Sequence, residues 1–287
     1  MNAAKRRVWT IAGLTAPAYL WLTLTIFLPL SAMLFFSFLE KAPFGDREIV
    51  FTLKHYAAFL TKSYLHQLTL RSLKLGLYVT AICVVVGFPA AYVLAKRVRG
   101  RWREALFLLV VLPFWSNALV RIFSWTVVLR PDGVLDRAFE LVAPGLVELD
   151  LAHSYTAIVI GLVHSYLPYM ILTCYLSLQA IDDSLIEAAK GLGASSLTIL
   201  RRIILPLAVP GLAAGAILIF VPVIGSFFEP RLLGGLQGIM LGTVIEDQFT
   251  TVFNWPLGAA LSFILLLIVL AILAVSYPLL RGHLRTA

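Results

Sequence analysis

Six long runs of apolar residues, almost free of charge, constrain this chain more than any other feature of its sequence. A helix that crosses the roughly 30 Å hydrocarbon core of a bilayer needs about 20 consecutive apolar residues. Lipid cannot satisfy exposed backbone N–H and C=O groups, so such a run spans as a helix. The composition agrees, since 60% of residues are hydrophobic and 13% charged, whereas soluble domains are about a quarter charged. We predict an all-α membrane protein with six transmembrane helices at 8–39, 75–95, 105–129, 154–180, within 207–228, and 257–280.

The positive charges fall on one side of these predicted spans. The formal net charge is +8, and Lys and Arg concentrate near both termini, in the loop 96–103 after span two, and around 190–202 after span four. Cytoplasmic loops of membrane proteins carry an excess of Lys and Arg. We therefore expect both termini in the cytoplasm, and we interpret the loop 96–103 as an anchor at the lipid headgroups rather than a nucleic-acid site.

The segment 181–211 contains the strongest local signals of the chain. Ser184 and Glu187 have the spacing of a capping box, which predicts a helix over 185–190. The glycine that follows at 193 favours a turn, because glycine tolerates backbone conformations that other residues resist. The segment therefore begins as a short cytoplasmic helix followed by a turn.

A second short helix is predicted directly after this turn. Ser195 or Ser196 is a suitable N-cap, and Leu197, Leu200 and Ile203 then recur on one helical face. Proline has no backbone N–H and fits poorly inside a helix, so the proline at 206 is expected to interrupt the pattern before span five. The whole segment is a helix–turn–helix at the membrane surface, either a plain connector or a docking element for a partner.

This helix–turn–helix matches the pattern E-A-A-x3-G-x9-I-x-L-P at every fixed position. It resembles the EAA loop of permease subunits of bacterial ABC importers, which implies a type I ABC importer permease-like fold. In that family the loop forms coupling helices that fit a cleft in the ATPase subunit. The resemblance implies that the ATPase-coupling residues are Glu187, Ala188, Ala189, Gly193, Ile203, Leu205 and Pro206.

A narrower resemblance covers roughly residues 50–265 and is to spermidine/putrescine permeases. It implies inward transport of a polyamine by ATP-driven alternating access, with opines, phosphonates or ferric iron as alternative solutes. The motifs are FTLKHYAAFL at 51–60, PFWSNALVR at 113–121, DGVL at 132–135, GLVHSYLP at 161–168, LLGG at 232–235 and NWPLGAA at 254–260. Arg231 departs from the family, whose members often carry an acidic residue there, so it pairs with Glu229 or indicates another solute.

The resemblance also implies partners and a domain layout. The partners are a second homologous permease, two cytoplasmic ABC ATPase subunits and a periplasmic solute-binding protein in a bacterial inner membrane. The chain has no GxxxxGK[ST] phosphate loop, so we expect ATP hydrolysis in a separate subunit and neither a cofactor nor a metal site here. We expect an N-terminal span with a cytoplasmic N-terminus at 1–39, a periplasmic segment at 40–70, and a permease core at 71–287 with its coupling loop at 181–206.

Candidate residues for the substrate pathway come from charged and aromatic positions in or near the spans. An intramembrane charge is a functional hypothesis by default, and Arg121 is the basic residue within a predicted span, although it is near enough to the outer end to reach the interface. Aromatic rings hold amines through cation–π contacts. The candidates are Trp115, Asn117, Arg121, Tyr166, Tyr169, Glu229 and Arg231; packing within or between helices is the alternative role for the aromatic ones.

Two other classes of membrane protein are alternatives. A secondary transporter needs its own coupling-ion site, usually with broken helices near mid-membrane and inverted repeats, and the sequence contains no evident repeat. A membrane enzyme needs clustered His, Asp or Glu, and the five histidines are scattered between His55 and His283.

Overall fold

The computed structural model describes residues 3–42, 48–142 and 151–284. Almost all secondary structure in these residues is helical, and the exception is one isolated antiparallel bridge between Leu39 and Phe51. The α-helices are α1 (Ala3–Ser37), α2 (Lys54–Thr61), α3 (Ser63–Tyr92), α4 (Arg101–Val111), α5 (Ala118–Leu129), α6 (Val134–Val142), α7 (Tyr155–Gln179), α8 (Asp183–Gly191), α9 (Ser196–Ile199), α10 (Leu205–Ile224), α11 (Phe228–Gly234), α12 (Leu241–Thr250) and α13 (Trp255–Leu284). The residues beyond 284, which belong to the predicted cytoplasmic C-terminus, lie outside the described residues.

The predicted number of spans is confirmed when one bent pair of helices counts as a single span. In the described part of the chain, five helical stretches are long and apolar enough to cross a membrane: Gly13–Ser37, Ser63–Arg97, Tyr155–Gln179, Ser196–Ile224 and Trp255–Ser276. The second begins 12 residues earlier than the predicted 75–95 run, because the amphipathic turns from Ser63 onward continue the same helix.

The third predicted span is not one continuous helix. The stretches Arg101–Trp115 and Ala118–Leu129 are bent by 96° at the break between them. The chain tightens into a 3-10 turn at Leu112–Trp115, which contains a proline, and the Asn117 side chain then accepts a hydrogen bond from the Leu119 N–H at 2.8 Å. This bond caps a new helix in a new direction, so the apolar run 105–129 does not form one continuous helix.

The chain divides into two compact units, residues 1–63 with 245–266 and residues 64–244 with 267–287. In the first unit, the segment after α1 is fixed by polar bonds to buried groups. His55 is buried and its Nε2 lies 3.1 Å from the Leu39 carbonyl oxygen, while the Tyr56 hydroxyl donates to Ser37 Oγ at 2.8 Å. These bonds hold α2 against the end of α1.

The core of the second unit is the packing of α10 against α7. Gly211 and Gly215 are four residues apart on α10, the spacing that lets membrane helices approach closely. A Cβ atom at Gly211 would lie 2.6 Å from the Thr173 carbonyl oxygen, and one at Gly215 would lie 2.8 Å from Met170 Sδ. These two helices therefore pack closely at both glycines, and at Gly211 the contact reaches the α7 backbone. This packing positions residues 181–206, the predicted coupling element that joins α7 to α10.

Candidate functional site

The first helix of the coupling element begins at Asp183, and its N-cap is Asp182. The Asp182 carboxylate accepts the Ser184 N–H at 2.9 Å, and this hydrogen bond lowers the pKa of Asp182. The predicted capping box with Ser184 as the cap was wrong. Asp182 and Ser184, two positions apart, are both good N-caps. The helix dipole additionally favours the Asp182 carboxylate at the N-terminus.

The turn after α8 is built as the sequence predicts. Gly193 has φ +79°, in the left-handed region that glycine adopts without cost. Its N–H donates to the Lys190 carbonyl at 2.9 Å, and the Ala194 N–H donates to the Ala189 carbonyl at 3.0 Å. This pair of bonds is a Schellman motif, which satisfies the last carbonyl groups of the helix and sets the exit direction of the chain.

The second helix of the coupling element starts at the predicted cap but does not stop where predicted. Ser195 Oγ accepts the Thr198 N–H at 3.3 Å, which decides between Ser195 and Ser196. The expected interruption at Pro206 was wrong, because the helix passes through a π-turn at Leu200–Ile204 and continues into α10. The wider turn accommodates a residue without an N–H, so the coupling element is continuous with span five.

The residues of the EAA pattern have different exposures. Glu187, Ala188 and Gly193 are exposed, whereas Ala189 and Ile203 are half-buried against the core. Leu205 and Pro206 lie at the start of α10 and are exposed in this chain. Three leucines of the same element also face outward, Leu185 at 49%, Leu192 at 90% and Leu197 at 55% exposed.

We predict that Asp182→Ala loosens the first turn of α8, because the Ser184 N–H loses its acceptor. The measurement is amide hydrogen exchange at residues 184–187 in the assembled protein, where we expect clearly faster exchange. Asp182→Asn keeps an oxygen acceptor and should exchange nearly like wild type. Unchanged exchange in Asp182→Ala would contradict the assignment of Asp182 as the cap.

The polar candidates of the third span lie at its break. Trp115 ends the 3-10 turn and is 86% exposed, and Asn117 caps α5. Arg121 is half-buried, and its Nη1 donates to the Pro113 carbonyl at 2.5 Å. Its Nε is buried with no hydrogen-bond partner among the described residues. The same Pro113 carbonyl also accepts from the Ser116 N–H and hydroxyl, so Arg121 adds a link from α5 to the turn before it, a role that the sequence did not indicate.

Arg121 also interacts electrostatically with residues on two other elements of the second unit. Its charge acts on Tyr166 of α7 and on Glu229 of α11. Glu229 is outside the spanning helices; burial raises the pKa of Glu229 above its usual range, and the positive charge of Arg121 opposes that rise. The Tyr166 and Tyr169 rings lie 5.9 Å apart between centroids.

Glu229 and Arg231 are two residues apart on the short helix α11. Side chains at this spacing do not face each other on a helix. Arg231 is exposed, and the cation whose charge acts on Glu229 is Arg121. The spacing on α11 thus does not favour a direct ion pair between Glu229 and Arg231.

Asp183 and Lys96 form an ion pair that the sequence does not indicate. The Lys96 Nζ is 2.6 Å from Asp183 Oδ1. The two residues are 87 positions apart, and no sequence motif contains both of them. No group of three His, Cys, Asp or Glu side chains able to hold a metal ion occurs in the part of the chain that the structure describes.

The comparisons with known proteins agree on one family. Residues 84–283 match the family model described as "Binding-protein-dependent transport system inner membrane component". The chain is 38% identical to the spermidine/putrescine transport system permease protein PotB of Escherichia coli over 259 residues, which cover 90% of this chain and 92% of PotB. It is 31% identical to PotC of the same organism, over 68% of this chain and 67% of PotC.

A solved structure has the same fold. It is a bacterial ABC transporter involved in the import of the acidic polysaccharide alginate, with a TM-score of 0.76 and 17% identity over 96% of both chains. The predicted all-α, type I permease fold is confirmed.

Proposed function

Because the chain belongs to the family of binding-protein-dependent transport system inner membrane components, we propose that it is the permease subunit of an ABC importer for a polyamine, putrescine or spermidine. The observation that carries this function is the 38% identity to a spermidine/putrescine permease along 90% of the chain. The helices of membrane-spanning length place the chain in the membrane as a multi-pass protein. Transport, not catalysis, is its activity.

The coupling element is proposed to dock on a separate cytoplasmic ATPase subunit, where ATP is hydrolysed. Its outward surface combines the small Ala188, which permits close approach, with the exposed apolar Leu192 and the charged Glu187. An exposed leucine between two capped helices, in an element continuous with span five, suits insertion into a groove. Closure of the ATPases would then tilt the spans attached to the element.

The proposed partners follow from this arrangement. A second homologous permease, which the similarity of this chain to both PotB and PotC supports, would enclose the pathway. Each permease would receive one ATPase subunit, and a periplasmic binding protein would deliver the solute to the outer face. The proposed domain layout is the N-terminal span 1–39, the periplasmic segment 40–70 and the permease core 71–287.

Both termini are proposed to lie in the cytoplasm of a bacterial inner membrane. The loop after span two contacts the coupling element through Lys96 and Asp183, so the most basic loop of the chain and the coupling element are on one side. The positive-inside rule makes that side cytoplasmic. An N-terminus separated from this loop by two spans is then on the same side.

The proposed solute path passes the break in the third span. Trp115, Tyr166 and Tyr169 offer ring faces to an ammonium group, and Glu229 offers a carboxylate. No described ion pair ties Glu229 to a cation, and Arg121 bonds to the Pro113 carbonyl instead. Asn117 and Arg231 complete the proposed lining, at the helix start and on the exposed face of α11.

We predict that Glu229→Gln weakens transport of a polyamine by about fivefold, seen as a higher half-saturating concentration. The reason is loss of about 1 kcal/mol of attraction between a half-buried carboxylate and an ammonium group. Initial uptake rates across a putrescine concentration series measure this. Glu140→Gln removes an exposed carboxylate from α6 and should behave as wild type; equal behaviour of both variants would remove Glu229 from the path.

The proposed function is tested by ATP hydrolysis in the reconstituted complex with its binding protein. Putrescine and spermidine are compared with an opine, a phosphonate and ferric iron, each at saturating concentration. We expect stimulation by the polyamines alone. Stimulation by another solute alone would overturn the polyamine assignment and make Arg231 the first residue to exchange.

A further inference from the structure

We propose that Lys96 is a positioning residue that ties the cytoplasmic end of α3 to the start of α8, so that motion of the coupling element reaches span two. The proposal rests on the proposed function, since it assigns a role within ATP-driven transport. Lys96 Nζ donates to the Ile181 carbonyl at 2.6 Å and to Asp183 Oδ1 at 2.6 Å. One side chain thus bonds both to Ile181, two residues before the helix, and to Asp183, its first residue.

The position of Lys96 requires such partners. Its side chain is 8% exposed, and a buried ammonium group is costly unless it is paired and hydrogen-bonded. It belongs to a π-turn at Val93–Arg97 that ends span two, where the Val98 N–H bonds to the Val93 carbonyl at 3.0 Å. An anchor at the lipid headgroups would be exposed, as Arg97 and Arg99 are; Lys96 instead points into the protein.

The start of α8 is adapted to a cation that would otherwise be unfavourable there. A helix N-terminus has a partial positive charge and repels a lysine. Two adjacent carboxylates have separate roles, since Asp182 caps the helix through Ser184 and Asp183 pairs with Lys96. The hydrogen bond and charge of Lys96 lower the pKa of Asp183, with smaller contributions from Arg99 and Arg103.

The ion pair adds a connection that the chain itself does not provide. α8 is joined covalently to α7 before it and, through α9, to α10 after it. A cavity of about 410 Å³ is lined by Tyr92 and Arg97 on one element and by Ile186 and Lys190 on α8. The Lys96 bonds bridge the two elements beside this cavity.

The test uses the complete importer in liposomes, with both permeases, both ATPases and the binding protein. Labelled putrescine taken up and ATP hydrolysed are measured together, and their ratio is the coupling. We expect Lys96→Met to lower this ratio by about fivefold, the lower end of the range for coupling between sites. Lys96→Arg retains a charged donor and should retain most of the ratio, whereas Arg97→Met is the control that removes a neighbouring exposed charge.

A double-mutant cycle distinguishes loss of the Lys96–Asp183 ion pair from a general loss of stability. Asp183→Asn should lower the ratio as Lys96→Met does, and the double variant should lower it no further. Additive losses would overturn the proposal, as would an unchanged ratio in either single variant. If Lys96→Met does not assemble, Asp183→Asn carries the test, because that side chain is 65% exposed and its loss leaves no void.

The wild-type complex keeps this test distinct from that of the proposed function. If wild type shows no uptake of putrescine, the proposed function fails. If wild type transports and Asp183→Asn couples equally well, the tie between Lys96 and Asp183 fails alone.

Discussion

Replacing Gly193 with valine is expected to reduce solute-coupled transport by about tenfold. Gly193 has φ +79°, and a side chain in this left-handed region costs about 1–2 kcal/mol, more for a β-branched residue. Such a cost corresponds to a factor of about 5–30 in the population of the native turn. Because the turn fixes the angle between α8 and α9, its loss misplaces the surface that we propose for ATPase docking.

Two other variants show whether the backbone conformation is the cause. Gly193→Asn should keep most of the transport, because asparagine tolerates this region better than other residues. Gly191→Ala changes a glycine two positions earlier, where a Cβ would meet no atom within 4 Å, and should leave transport unchanged. Uptake of labelled putrescine by the reconstituted complex is the measurement, and full activity in Gly193→Val would mean that this turn is not needed for coupling.

Gly211→Val is expected to prevent recovery of most of the folded complex. The first added carbon would lie 2.6 Å from the Thr173 carbonyl oxygen and 2.5 Å from Ser177 Cβ. Because a backbone oxygen of α7 cannot turn away as a side chain does, the helices must separate. Overpacking of this kind costs about 1–3 kcal/mol or more, and here it also opens the contact that supports the coupling element.

The recovery of monodisperse complex and its thermal midpoint measure this effect. The matched control is Gly225→Ala at the end of the same helix, where the nearest atom to a new Cβ is 3.8 Å away. That variant should be recovered like wild type. Normal yield and midpoint in Gly211→Val would contradict the close packing of α10 on α7.

Much of the fold is predictable because long apolar runs have few alternatives. The fourth predicted span, 154–180, agrees with α7 to within one residue at each end, since Ser154 caps it through the Ala157 N–H at 3.0 Å. The turn at Gly193 is predictable for a similar reason, as local backbone chemistry determines it. A local signal that has no nearby competitor is thus retained in the folded chain.

The remaining features depend on choices that no short pattern decides. Asp182 and Ser184 are both good caps, and the predicted start of α8 was two residues later than the observed start. Pro206 predicts a break when only the missing N–H is considered, but the preceding π-turn accommodates it. The bond between Arg121 and the Pro113 carbonyl forms only because the third span bends.

The long-range ion pair is the clearest example. Lys96 belongs to a loop whose charges are typical of a headgroup anchor, and Asp183 belongs to a helix start where acidic residues are common. Each has an ordinary local explanation. Only the folded chain brings Lys96 Nζ to within 2.6 Å of the carboxylate, and with it the inferred role in coupling.

The most direct test of the central claim is uptake of radiolabelled putrescine by liposomes that contain this chain, its partner permease and the ATPases, with the binding protein outside and ATP inside. We expect accumulation that requires ATP, the binding protein and this chain together. Uptake that proceeds without ATP or the ATPases, driven by an ion gradient alone, would contradict the account, because it would make this chain a secondary transporter.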